Sequence, residues 1–268
     1  MMTEGNVLLA FALTAIAGLS TGLGGVISLF VKKTNTKFLT AALGMSAGVM
    51  VYVSFVDMMP SAAALLNAAY GERRGGLYAI LAFFGGMLLI AVIDGLIPHE
   101  DNPHEVRSWA ADESGAAGKL MRAGVLTALA VGIHNFPEGI ATFVSALRDP
   151  AAALPIVAAI AIHNIPEGIA VATPLYYATG SRKKALLWSA LSGMAEPLGA
   201  LLGWLILMPF MSDALFGILF AAISGIMVFI SFDELLPNAQ QYGEHHVALG
   251  GVIAGMAVIA VSLIMFLK

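Results

Sequence analysis

Five long stretches of this chain contain no Asp, Glu, Lys or Arg, and each is long enough to cross a lipid bilayer. They are Gly5 to Val31, Phe38 to Val56, Gly75 to Ile93, Ala214 to Phe232 and His245 to Leu267. A helix needs roughly 20 apolar residues to span the hydrocarbon core. These stretches therefore predict five transmembrane helices.

Three more stretches qualify if each is allowed one carboxylate, namely Glu138, Glu167 or Glu196. With them, the sequence predicts an all-α integral membrane protein of eight transmembrane helices. The expected spans are about 6–31, 38–59, 75–97, 120–147, 151–177, 185–208, 214–238 and 246–267. Residues 1–268 then form one transmembrane domain with a polar loop at 98–118.

Composition agrees with a bilayer environment, since 59% of the residues are hydrophobic and 11% are charged. A soluble domain carries about a quarter charged residues. The net charge of -4 leaves no basic face to neutralise phosphates, which argues against nucleic acid as a partner. The chain has no Cys, so disulfides and zinc-thiolate sites are excluded.

The distribution of basic residues predicts the orientation in the membrane. With the loops assigned alternately to two sides, nine of the thirteen Lys and Arg residues fall on one side. The excess of basic residues normally faces the cytoplasm. Both termini are therefore expected outside, with the loop at 98–118 in the cytoplasm.

An eight-residue block occurs in both the fourth and the fifth span. His134 to Ala141 and His163 to Ala170 are identical at seven of eight positions. Consecutive spans run in opposite directions, so the two copies are expected to face each other about a pseudo-two-fold axis in the membrane plane.

Weaker repeats link the outer spans. Ser54 to Ala62 in the second span resembles Ser231 to Ala239 in the seventh. In the first and sixth spans, Gly18, Leu23 and Gly24 line up with Gly193, Leu198 and Gly199. Together these predict a 3+2+3 inverted-repeat arrangement around the central pair. Inverted repeats with Pro-interrupted helices are typical of alternating-access transporters.

Each copy of the block presents an imidazole, an amide and a carboxylate in one direction. Residues four apart share a helix face, so His134 lies above Glu138 and His163 above Glu167. Asn135 and Asn164 are three residues from the same glutamates. Each block also contains a proline that removes one backbone hydrogen bond and bends the helix.

Carboxylates deep in a bilayer cost on the order of 2.5–3.5 kcal/mol each and need a partner. No Lys or Arg lies at matching depth in the spans that contain Glu138, Glu167 and Glu196. Two divalent cations at +4 would roughly compensate three ionised carboxylates at -3, which favours a two-ion centre. Protonation of the glutamates is the competing way to remove the charge.

Five residues of the second and seventh spans are candidates for a transport route: Met50, Ser54, Asp57, Asp233 and Glu234. Simple packing of the methionine and contact of the carboxylates with interfacial water are the ordinary alternatives. In the polar loop, His99 and His104 stand among three acidic residues. This loop is either a weak metal-capture site or a solvated acidic connection.

The paired blocks, the stretch Glu196-Pro197-Leu198-Gly199 and the sequence Asp-Glu-Leu-Leu-Pro at 233–237 resemble the ZIP (Zrt/Irt-like) metal transporters. The resemblance covers essentially the whole chain and looks closest to the bacterial zinc-uptake branch, which has broad divalent-metal selectivity. Some members of the family have Gln-Asp where this chain has His163-Asn164.

The resemblance implies a protein of a bacterial cytoplasmic (inner) membrane that imports divalent metal through a binuclear centre between spans four and five. Its expected partners are metal ions and the lipid bilayer, with a homodimer as a candidate assembly. Zn²⁺ and other divalent ions would be its cargo, and no catalytic cofactor is expected. One implied site contains His134, Glu138, His163 and Glu167. The neighbouring one contains Asn135, Glu138, Asn164, Glu167 and Glu196.

Ligand chemistry narrows the cargo independently of the resemblance. Imidazole, carboxylate and amide ligands suit Zn, Fe(II), Mn and Co, and disfavour Cu(I). Cadmium is a further expected substrate. An enzyme is not expected, because an intramembrane metalloprotease normally carries His-Glu-x-x-His and this sequence lacks it. A proton-coupled antiporter that uses the same glutamates remains the alternative.

Overall fold

The computed structural model describes residues 4–30, 36–96, 116–240 and 244–266. Within these ranges the chain forms eight long helices and no β-strand. They are α1 (Glu4–Ser28), α2 (Thr36–Tyr70), α3 (Glu72–Leu96), α4 (Ala116–Arg148), α5 (Pro150–Thr179), α6 (Arg182–Phe210), α7 (Asp213–Gln240) and α8 (His245–Phe266). The prediction of an all-helical fold is confirmed for this part of the chain.

Seven of the eight described helices, all except α4, are long and apolar enough to cross a membrane. The eighth, α4, contains 33 residues, which is ample length for a span, and it carries the first polar block. Residues 97–115, which include most of the predicted loop with His99 and His104, lie outside the described residues.

Proline interrupts α2, α6 and α7 in the same way. A proline cannot donate a backbone hydrogen bond, and its ring collides with the carbonyl of the preceding turn. In each of these helices a five-residue π-helical turn just before the proline widens the helix. These turns are Ser54–Met58, Gly203–Leu207 and Ser231–Leu235. Four of the candidate route residues, Ser54, Asp57, Asp233 and Glu234, therefore lie on distorted backbone.

The helices pack in two groups. In the first group, α1 packs on α4, α5 and α6, and α4 packs on α5 and α6. In the second group, α2 packs on α3, α7 and α8, and α3 packs on α7. The groups meet where α2 and α8 contact α5 and where α7 contacts α4. The first three helices thus do not pack as one block, and the 3+2+3 repeat remains a prediction.

Glycines set the close approach of helices within the second group. Added Cβ atoms would collide with the backbone oxygen of Ala248 at Gly44 and with that of Val252 at Gly48, where α2 crosses α8. A Cβ on Gly86 of α3 would likewise collide with the backbone of α7. Small residues at such crossings are the usual means of close packing in a bilayer.

We predict that Gly86→Ala destabilises the protein, whereas Gly85→Ala does not. A methyl at Gly86 meets the carbonyl of Ala222, while a methyl at Gly85 meets nothing within 4 Å. Overpacking costs about 1–3 kcal/mol, and alanine in an open helical position gains roughly 0.5–1 kcal/mol over glycine. Thermal unfolding in detergent measures both variants, and equal melting temperatures would contradict this packing.

Candidate metal centre

The two polar blocks face each other across the contact between α4 and α5. Both helices continue through the prolines of the blocks. Glu138, His163 and Glu167 are essentially without solvent exposure. The Nε2 atom of His163 lies 3.3 Å from Oε2 of Glu138 and 3.9 Å from Oε1 of Glu167. One imidazole therefore stands between carboxylates of both copies.

The asparagines of the blocks extend this polar cluster toward α1 and α6. The side-chain amide of Asn164 donates to the backbone oxygen of Ala17 at 3.0 Å and also to Oε1 of Glu196. The amide of Asn135 donates to the backbone oxygen of Ser192 at 3.3 Å. Each amide nitrogen is thus anchored, which leaves the amide oxygen as the atom able to bind a cation.

Glu196 enters the cluster from α6, where the helix changes direction. Met194 is a turn residue between Arg182–Gly193 and Ala195–Leu202, and Pro197 follows Glu196 directly. Because the proline lacks an N–H, the carbonyl of Gly193 loses its ordinary helical partner. The Glu196 side chain is fully buried. The sequence predicted that Glu196 lies with the two polar blocks. Its hydrogen bond from Asn164 joins it to the block on α5.

Glycines also bring the polar helices into backbone contact, in two matching pairs. A Cβ on Gly168 would collide with the carbonyl of Thr21 in α1. A Cβ on Gly139 would collide with the carbonyl of Glu196 in α6. Reciprocally, Gly24 abuts Ile165 and Gly199 abuts Phe136. The contact of α1 with α5 therefore resembles that of α6 with α4, and Thr21 holds the position that corresponds to Glu196.

Ser46 of α2 also reaches the cluster, and sequence reasoning did not find it. Its hydroxyl is buried, 3.3 Å from Oε1 of Glu167 and 3.5 Å from the backbone oxygen of His163. It lies one helical turn before Met50, so the sequence signalled the correct face of α2 but not the residue. This hydrogen bond joins the second helix group to the polar centre.

The remaining predicted residues lie farther along α2 and α7. Met50 and Ser54 are fully buried in α2. Asp57 and Asp233 are partly buried, and Glu234 is almost fully buried. Nothing in the structure assigns these five residues to the ion centre, so their part in a route remains a prediction.

His134 lies in α4, but its side chain falls outside the described part of the structure. Among the described residues, no group of three His, Asp or Glu side chains is arranged to hold an ion. The described carboxylates and imidazole instead bond to one another and to amides. An ion that bound here would have to replace the contact between His163 and Glu138 and draw on neutral oxygen ligands.

An all-helical bundle of mostly apolar helices with carboxylates, amides and imidazole enclosed at its centre defines a multi-pass membrane protein. A family model described as ZIP Zinc transporter matches residues 97–263. Proteins named Zinc transporter ZupT are similar along nearly the whole chain. The protein from Streptococcus mutans is 58% identical, covering 96% of this chain and 97% of its own. That from Nitratidesulfovibrio vulgaris is 53% identical over both full chains.

The chain therefore belongs to the ZIP zinc transporter family. Its predicted resemblance to this family is confirmed, as is the prediction that it is a transporter and not an enzyme. Both of these relatives are named as zinc transporters.

We predict that Ser46→Ala strengthens zinc binding by about fivefold, the effect of losing one ordinary hydrogen bond. The Ser46 hydroxyl bonds to the Glu167 oxygen that a metal ion would use, so it competes with the ion. Competition with a chelating indicator in detergent measures the affinity. Ser231→Ala is the matched control, because that buried hydroxyl bonds back to Met227 of its own helix. Weaker binding by Ser46→Ala would instead identify the hydroxyl as a ligand.

Proposed function

We propose that this protein imports divalent metal ions, zinc first among them, into the cytoplasm through a binuclear centre between α4 and α5. The observation that carries the proposal is the burial of Glu138, Glu167 and Glu196 beside one imidazole and two amides. Buried carboxylates are tolerated when a cation or a proton neutralises them. No Lys or Arg lies within nine residues of any of these three glutamates in the sequence.

The described ion pairs of basic residues support this reading. Lys37 pairs with Glu244 at 3.7 Å, and Arg148 pairs with Asp213 at 2.8 Å. Both pairs lie near helix ends. These two cationic side chains thus lie at the periphery of the bundle, and an ion from outside is the natural counter-charge for its centre.

The two ions would divide the ligands between them. His134, Glu138, His163 and Glu167 form the first site, and Asn135, Glu138, Asn164, Glu167 and Glu196 form the second. The glutamates of the two blocks bridge the ions. Imidazole, carboxylate and amide ligands suit Zn, Fe(II), Mn, Co and Cd, so the range is expected to be broad. Transport also requires that each ion leave again, which favours exchangeable neutral ligands.

An inverted repeat would supply the alternating access that import requires. The matched glycine contacts of α1 with α5 and of α6 with α4 support such a repeat. The amides support it as well, because Asn164 bonds to Ala17 and Asn135 to Ser192, positions related by the same offset as Gly18 and Gly193. Met50, Ser54 and Asp57 would line the route on one side of the centre, and Asp233 and Glu234 on the other.

We predict that Glu138→Gln with Glu167→Gln abolishes zinc uptake into proteoliposomes, read with an internal zinc indicator. The double variant removes two negative charges from the centre and keeps the side-chain volumes. Glu72→Gln is the control, since Glu72 is exposed at the start of α3 and is expected to leave uptake unchanged.

Uptake by the double glutamine variant at the original rate would show that the centre is assigned wrongly. Metal analysis of the purified protein tests the antiporter alternative. Stoichiometric bound zinc that is lost on replacing His163 supports the metal centre. Glutamate-dependent proton flux without any bound metal would favour the antiporter.

We predict that Arg73→Cys reacts with an impermeant thiol reagent in intact cells and that Lys183→Cys reacts only after permeabilisation. Both residues are exposed in the first helical turns of α3 and α6, which the basic-residue count places on opposite sides. The chain has no Cys, so each variant carries a single thiol. The reverse pattern would invert the proposed orientation and thus the direction of transport.

A further inference from the structure

Several hydroxyl groups in these helices bond back to their own backbone. Thr14 donates to Ala10 at 2.9 Å and Thr179 to Leu175 at 2.7 Å. Such bonds to the preceding turn are the ordinary way to satisfy a Ser or Thr hydroxyl within a bilayer. They show what a hydroxyl with only a structural role does in this fold.

Five buried hydroxyls, those of Thr21, Thr40, Ser54, Thr142 and Ser145, depart from that pattern, and the last two lie together on α4. Thr142 is fully buried and Ser145 is 8% exposed. Neither hydroxyl has a hydrogen-bond partner among the described residues. A buried donor without a partner costs free energy, so two such groups on one helix call for a ligand that another state of the protein supplies.

Both hydroxyls share a helix face with Glu138. At 100° per residue, positions 138, 142 and 145 fall within about 60° of one another, and they extend about 10 Å along the axis. The hydroxyls thus continue the polar side of α4 from the centre toward its C-terminal end. That end is marked by the pair of Arg148 with Asp213.

The other copy of the block lacks this continuation. The offset that aligns His134 with His163 places Val171 and Pro174 opposite Thr142 and Ser145. Val171 is fully buried and apolar. The shared block therefore explains the carboxylates, amides and imidazoles, but it does not explain hydroxyls present on one side only.

We propose that Thr142 and Ser145 form a transient binding station for a divalent metal ion between Glu138 and the C-terminal end of α4. The proposal rests on the transport function proposed above. Neutral hydroxyl oxygens can replace part of the hydration shell of a divalent ion without trapping it, as a conducting route requires. In the present structure both groups are enclosed, so the ion would occupy them when this side of the centre opens.

The test is the double variant Thr142→Val with Ser145→Ala, which removes both oxygens with little change in volume. We expect maximal zinc uptake to fall by about tenfold, from the loss of two weak oxygen contacts in the opened route. Equilibrium zinc binding to the centre in detergent should stay within about twofold of the original protein. Thr14→Val is the matched control, since it removes a buried hydroxyl that already bonds to its own helix.

Thr142→Ser keeps an oxygen at the same position and should retain uptake, which separates loss of the hydroxyl from misfolding. Unchanged uptake by the double variant would overturn the station while leaving the transport function intact, provided that the glutamine variants of the centre are inactive. An equal loss of binding and uptake would also overturn it, because the hydroxyls would then belong to the centre itself.

A thiol at the same place gives an independent test in this cysteine-free chain. Ser145→Cys introduces a soft ligand, which cadmium binds more tightly than a hydroxyl. We expect cadmium to inhibit zinc uptake by this variant at about tenfold lower concentration than in the original protein. Thr14→Cys should show no such change. Equal sensitivity of Ser145→Cys and the original protein would contradict an ion route past this residue.

Discussion

The fold depends on keeping three carboxylates inside a bundle of apolar helices. Each would cost on the order of 2.5–3.5 kcal/mol in a bilayer if it stood alone. The protein gathers them against polar atoms: Glu138 lies beside His163, and Glu196 accepts a hydrogen bond from Asn164. The amides are in turn anchored to backbone carbonyls of neighbouring helices. The polar centre therefore ties α1, α4, α5 and α6 together, and a change at any of these helices reaches the carboxylates.

Close backbone approach makes this arrangement geometrically attainable. The carbonyl of Glu196 packs against Gly139, and the carbonyl of Thr21 packs against Gly168. Larger residues at these glycines would collide with those carbonyls and force α6 away from α4 and α1 away from α5. The glycines that follow Glu138 and Glu167 are therefore part of the centre, because they set how closely the neighbouring helix approaches.

The sequence predicted the features that local patterns determine. Apolar length located the helices, and the repetition of His134 to Ala141 located the residues that the structure brings together on α4 and α5. Packing between distant segments was beyond such patterns. The sequence named Met50 and Ser54 as candidates on α2, one and two turns beyond Ser46, but only the crossing of α2 with α5 selects Ser46 as the residue at Glu167. The π-helical turns likewise arise from how each helix accommodates its proline within the bundle.

The departures from repetition bear on the mechanism more directly than the repetition does. A fully symmetric centre would present the same ligands to an ion from either side. Here Glu196 stands where the other half has Thr21, Ser46 approaches Glu167 from α2, and the hydroxyls that follow Glu138 on α4 have no counterparts after Glu167 on α5. Such asymmetry cannot set the direction of net flux, because a bound ion shifts a conformational equilibrium only by its differential affinity for the two states. It can set how fast an ion enters and leaves on each side, so an ion gradient or a coupled ion must supply the direction.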